Sequence, residues 1–168
     1  NNIKEDKQDL QDFFLFLIKI VNYHHRSPSF FDKIFEVFNY IKSDIQKHFQ
    51  QNELFDLFIG CKRVLLFLFE EKYIEITSKI FHKLNDQSKY LNRKYINYFY
   101  PEIKEYLDTF DQRIYGKIPG NFEELRKTGQ NESKICEIIR NDDLDEFIVQ
   151  NTQNEIFFSK IPLSIYET

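Results

Sequence analysis

The 168-residue chain contains no methionine, tryptophan or alanine, and only four glycines, four prolines and two cysteines. Each shortage removes a class of reading. With no methionine the sequence holds no initiator, so it is read as a piece cut from a longer polypeptide. The two cysteines, Cys61 and Cys136, stand far apart without CxxC spacing, which fits a reduced cytoplasmic setting better than a disulfide framework. Four scattered glycines cannot build a phosphate-binding loop, and no G-x-S-x-G elbow occurs, so the commonest nucleotide-binding and hydrolase readings fall away. The longest apolar run, FFLFLIKIV at 13–21, contains Lys19 and is too short to span a bilayer, and no signal-peptide pattern precedes it. The formal net charge is −4, from 23 Lys plus Arg against 27 Asp plus Glu, a balance that argues against broad affinity for nucleic acid or anionic membrane.

What is abundant is aromatic: 19 Phe and 10 Tyr, with many Ile and Leu. The accompanying excess of Lys and Asn is what AT-rich codons give, so the bias reports partly on the gene. A chain of this length buries roughly 70% of its unfolded surface and needs neither metal nor disulfide for a core.

Scarce glycine and proline leave room for little but helices joined by short turns, and the fold is expected to be all-α, an antiparallel helical array or solenoid. Ser27 with Pro28, or Ser29 with Asp32, opens a helix whose apolar residues fall at Phe31, Ile34, Phe35, Phe38, Ile41, Ile45 and Phe49, one helical face. From Asn52 to about residue 71 apolar residues run nearly all round. Asp56, Gly60, Arg63 and Glu70 share a narrow polar sector there, opposite Leu54, Phe58, Cys61, Leu65 and Leu68, so a central helix is expected. Further helices are expected over 10–22, 74–84, 88–100 and 102–110, with a break at Pro101. Gly116, Pro119, Gly120 and Gly129 then mark 112–131 as a connector with one turn of helix near Phe122–Arg126.

Candidate chemistry is sparse. His24 and His25 are adjacent and point about 100° apart on a helix, so they cannot hold one ion together. Neither His48 nor His82 has a zinc-ligand partner at helical spacing, and Cys61 has no sequence-readable base, so a buried structural thiol is the better reading. No catalytic residue, metal or cofactor is expected. One face does combine cations with aromatics: Lys89, Tyr90, Arg93, Lys94, Asn97 and Tyr100 share a side of the 88–100 helix, with Leu91, Tyr95, Tyr98 and Phe99 opposite. Tyrosine and arginine suit protein interfaces, and this face is the candidate partner-binding surface. The same residues could stack on bases and hold phosphates, but the acidic total charge weighs against RNA, and a solvated face is the plainer reading.

The stretch KICEIIRNDDLDEFI, 134–148, sets Asn141, Asp142 and Asp143 between two apolar runs. As a calcium loop it lacks the glycine at the sixth position. As a corner it works: Ile135, Ile138 and Ile139 face one way on a first short helix, Asp143 caps a second with Glu146 at its third position, and Leu144, Phe147 and Ile148 form the inner face. That arrangement resembles the helix pair of an ankyrin repeat. SKICEIIRNDDLDEFIVQ followed by SKIPLSIYET, together with YINYFYPEIKEYLDTFD upstream, resembles the boundary of protist ankyrin-repeat proteins in which a helical domain of unknown function precedes the repeats. The T-P-L-H-x-A signature is absent, so 132–168 is taken as a degenerate first repeat or cap.

The resemblance implies an N-terminal helical domain over 1–111, a connector over 112–131 and the ankyrin-like pair over 132–168. It also implies a scaffold for protein contacts, with further repeats beyond Thr168. The expected function is non-catalytic protein–protein interaction in the cytoplasm, with a protein partner and no membrane. A structural part in a large cytoskeletal assembly, or RNA binding through Lys89–Tyr100, are the alternatives.

Overall fold

Helix α1 (Lys7–His24) buries Leu10, Phe14, Leu17 and Val21, spaced four, three and four apart, so one stripe of the helix faces the core. The computed structural model describes residues 7–24, 28–90, 94–108, 120–129, 137–138 and 141–154, and all regular structure among them is helical. The expected amphipathic helix follows as α2 (Pro28–Tyr40) and α3 (Lys42–His48), which meet at Ile41. Ile41 leaves helical geometry (φ −100°, ψ 18°), yet the ladder crosses it. Its N–H bonds the Val37 carbonyl at 3.1 Å, and Ile45 bonds Ile41 at 3.0 Å. The two helices are therefore one bent rod, and Phe31, Ile34, Phe38, Ile41, Ile45 and Phe49 stay on its buried side.

The expected helix from Asn52 to 71 is two helices, α4 (Gln51–Phe58) and α5 (Lys62–Glu70). Gln50, not Asn52, is the N-cap: its N–H donates to the Glu53 carboxylate at 2.8 Å. The ladder stops at Gly60, a poor helix former, and Cys61 turns the chain with φ −121° and ψ 81°. The break resets the helical phase. Every residue from Lys62 to Phe69 is buried, so Arg63 lies inside rather than in a polar sector. α5 is the central helix, as its all-round apolar character suggested.

α5 ends where Lys72 takes a left-handed conformation (φ 58°) and Tyr73 N–H reaches back to the Leu68 carbonyl at 2.9 Å. After the stretch 74–77, α6 (Ser78–Tyr90) starts four residues later than its apolar pattern suggested. α7 (Lys94–Tyr98) and α8 (Tyr100–Ile103) follow, α8 running into a 3-10 turn, Lys104–Tyr106. Pro101 sits in the first turn of α8, where its missing N–H costs nothing. Within the stretch set down as connector, α9 (Phe122–Thr128) is a two-turn helix. Its Phe122 and Leu125 join the same core as α1–α8. Gly129 stops it at φ 66°. The last described helix is α10 (Leu144–Asn154).

The core is built from rings. Phe14 stacks on Phe38 (5.4 Å between centroids), and both meet Phe58 edge-on at 5.3 and 5.5 Å. Phe35 lies flat on Phe67 at 4.2 Å, and Phe69 meets Phe99 edge-on at 5.5 Å, which ties α5 to the junction of α7 and α8. Such pairs contribute about 0.5–1.5 kcal/mol each beyond burial.

Candidate functional site

Of the expected partner-binding face, Asn97 and Tyr100 are described, and both are half-buried; Tyr100 packs against the core. Lys89, Tyr90 and Lys94 have their backbone in α6 and α7, but their side chains, and the whole of Arg93, lie outside the described residues. On the opposite side Tyr95, Tyr98 and Phe99 are buried, and Leu91 lies outside the described residues.

The described polar group with the most unusual setting is Arg126 on α9, whose side chain is 2% exposed. Its two terminal nitrogens grip the Glu102 carboxylate at 2.6 and 2.9 Å, and one of them also reaches Glu123 at 2.9 Å. Nη1 donates to the Tyr98 carbonyl at 3.0 Å, while the Tyr98 hydroxyl donates to the Arg126 carbonyl at 2.9 Å. Three elements, α7, α8 and α9, are thereby stitched at one point. Burial works against the Arg126 charge, but Glu102 and Glu123 outweigh it and hold the guanidinium above its ordinary value. Burial pushes the Glu102 carboxyl upward, and the Arg126 fork opposes that push. The Nε of Arg126 is buried without a hydrogen-bond partner among the described residues.

Arg126 also lines a cleft of about 250 Å³ between α2, α5 and α9, with Asp32, Phe35, Arg63, Leu66, Phe67, Glu70 and Lys127. The stacked Phe35 and Phe67 rings give it an apolar wall. Arg63 lies with its guanidinium carbon 3.6 Å from the centre of the Phe31 ring and donates to the Thr128 carbonyl at 3.4 Å. Burial lowers its pKa to about 10, with Tyr98 and Asp32 opposing. Lys127 and Glu70 pair across the rim at 3.6 Å. Three lining cations face two lining acids, and Glu102 and Glu123 already balance Arg126, so the charge field draws in no anion.

Among the described residues no Ser, Thr, Cys or His lines the cleft. The described thiol, Cys61, is buried, pushed up to about 11 by burial, and set 3.8 Å from the Asn22 side-chain oxygen, so it stays protonated at neutral pH. Among the described residues no group of three or more His, Cys, Asp or Glu is placed to hold a metal ion, and no helix is long and apolar enough to cross a membrane.

At the acidic corner, Asp143 caps α10 by accepting from the Glu146 N–H at 3.0 Å. Asp142 takes the left-handed position (φ 54°) that a glycine would fill more cheaply, and Asp143 N–H reaches the Ile138 carbonyl at 3.1 Å. The run Asn141–Asp143 thus stops one helical segment and starts the next. The expected inner face of α10 is not inside: Leu144 is 66% and Ile148 51% exposed, and Phe147 is half-buried.

Sequence reasoning missed the Arg126 cluster because Glu102 stands 24 residues from it. Only Glu123, three residues before Arg126, was a local signal. Compared with protein-family models, curated proteins and solved structures, the chain matches none.

Proposed function

We propose that the chain is a non-catalytic protein–protein interaction module, the N-terminal part of an ankyrin-like repeat scaffold. The observation that carries this reading is α10. A sharply capped corner delivers a helix whose Leu144, Ile148 and Val149 are 66, 51 and 42% exposed, a surface that a packing partner would cover. The described polar chemistry supports the same reading, since the buried Arg126 charge is tied into a structural pair, Arg63 lies on the Phe31 ring and bonds a helix-end carbonyl, and Cys61 is kept protonated. In a repeat array the next helix pair covers such a face, and a partner protein engages the array as a whole.

The test is affinity capture from whole-cell lysate with nuclease present, comparing the parent chain with a Leu144→Asp/Ile148→Asp variant of unchanged melting temperature. A discrete set of proteins lost in the variant is expected. An identical set from both chains, or turnover that survives rigorous purification, would overturn the reading.

A further inference from the structure

At about 100° per residue, the side of α1 away from its buried stripe carries Gln8, Asp12, Leu15, Phe16, Lys19 and Tyr23 within an arc of about 100°, and all six are exposed. Three are large and apolar: Leu15 is 43%, Phe16 59% and Tyr23 84% exposed. The Gln8 amide donates to the Asp12 carboxylate at 3.0 Å, which holds that acid along the stripe. We propose that this stripe is a self-association surface, on which a second copy of the chain lays its own α1 antiparallel.

The second copy is singled out by the order of residues along the stripe. Reversing the helix about a point midway between Leu15 and Phe16 sets Asp12 opposite Lys19, Lys19 opposite Asp12, Leu15 opposite Phe16, and Gln8 opposite Tyr23. A two-fold contact makes each of these pairings twice, with opposite charges flanking an apolar centre. A parallel arrangement would set Asp12 on Asp12 and Lys19 on Lys19, and would be repelled. Reversed helices also oppose their macrodipoles. With 18 residues, α1 is about 27 Å long. One helix of that length against another buries less than a standard stable interface, so the association is weak, with a dissociation constant roughly between 10 and 500 μM. The proposal does not rest on the scaffold reading, because α1 and α10 are separate surfaces.

Sedimentation of the 168-residue chain over about 5 to 500 μM tests it. The weight-average mass is expected to climb from 20.6 kDa toward twice that value. Phe16→Glu should hold it at the monomer value throughout, since it places a charge in the centre of the contact on both copies. Asp12→Lys and Lys19→Asp, each turning two attractions into repulsions, should weaken association about tenfold singly, and the double exchange should restore it to within about twofold. All three sites are exposed, so the melting temperature should not move. A parent chain that stays monomeric overturns the proposal. So does association untouched by Phe16→Glu, or a double exchange that fails to restore what the single changes lost.

Discussion

Replacing Glu102 removes the charge that balances a guanidinium almost wholly out of water. Arg126 is 2% and Glu102 18% exposed at the side chain, and two short charge-assisted bonds of 2.6 and 2.9 Å join them. Such bonds contribute about 1.5–3 kcal/mol each in net terms, while removing one partner of a buried pair costs about 3–5 kcal/mol because the other charge is left unmet. Glu123 and the Tyr98 carbonyl still hold Arg126 when Glu102 is gone, so the low end of that range applies. Glu102→Ala should therefore lower the unfolding free energy by about 3 kcal/mol, and Glu102→Gln, which keeps one acceptor, by about 2 kcal/mol. Replacing both residues by leucine removes the unmet charge together with its partner and should bring stability back to within about 1 kcal/mol of the parent. The assay is equilibrium urea unfolding, with a constant denaturant slope as the check that the two-state reading holds. A Glu102→Ala cost under about 1 kcal/mol, or a double variant that loses the sum of the single losses, would refute the reasoning.

Alkaline pH should destabilise the chain. Burial raises Cys61 from 9.0 to about 11 and Tyr95 from 10.0 to about 12, and it raises Tyr98 as well. The folded state therefore keeps protons that the unfolded chain releases, and stability present below pH 9 is lost as pH climbs, by up to about 1.4 kcal/mol per pH unit for each group. Tyr73 is raised in the same way, so Arg63, lowered to about 10, opposes this as one group against four. A urea midpoint that stays flat to pH 11 would contradict the assignment. Lys72 holds φ 58° without being glycine, so Lys72→Gly should stabilise by about 0.5–1 kcal/mol and Gly129→Ala, at φ 66°, should cost about 1–2 kcal/mol, both read by thermal melting. Phe38→Ala removes the ring that meets Phe14, Phe58, Phe67 and Tyr73. A loss of about 3–5 kcal/mol in urea unfolding is expected, and a loss under about 2 would mean the site collapses around the gap.

Local periodicity carried most of the fold that could be read in advance. The seven apolar positions from Phe31 to Phe49 were legible because each depends only on its neighbours three and four residues away, and all but the half-buried Phe35 are buried. The Asp143 cap was legible for the same reason, since Asp143 and Glu146 lie within one turn. The break at Gly60 was not: where apolar residues run all round, the pattern has no phase for a break to disturb, and Arg63 was set in a polar sector that the reset helix abolishes. The Arg126 cluster was invisible because its strongest bond joins residues on separate helices. Of the face at Lys89, Tyr90, Arg93, Lys94, Asn97 and Tyr100, the described side chains are those of Asn97 and Tyr100, both half-buried.

The tyrosine content that looked like a codon bias also has structural work in this fold. Many short helices mean many helix ends, and each end leaves carbonyls that the helix itself cannot satisfy. Glycine, the usual means of closing such ends, occurs four times in the chain. Tyrosine hydroxyls from distant helices fill part of that need. Tyr73 donates to the Phe38 carbonyl in the last turn of α2 at 2.8 Å, Tyr95 to the Ile59 carbonyl just past α4, and Tyr98 to the Arg126 carbonyl in the last turn of α9 at 2.9 Å. Arginine does the same at other ends, with Arg126 on the Tyr98 carbonyl at the end of α7 and Arg63 on the Thr128 carbonyl at the end of α9. Each of these side chains buries an apolar body in the core while its polar tip closes a neighbouring helix. Tyrosine and arginine thus supply both core volume and helix termination in this glycine-poor chain.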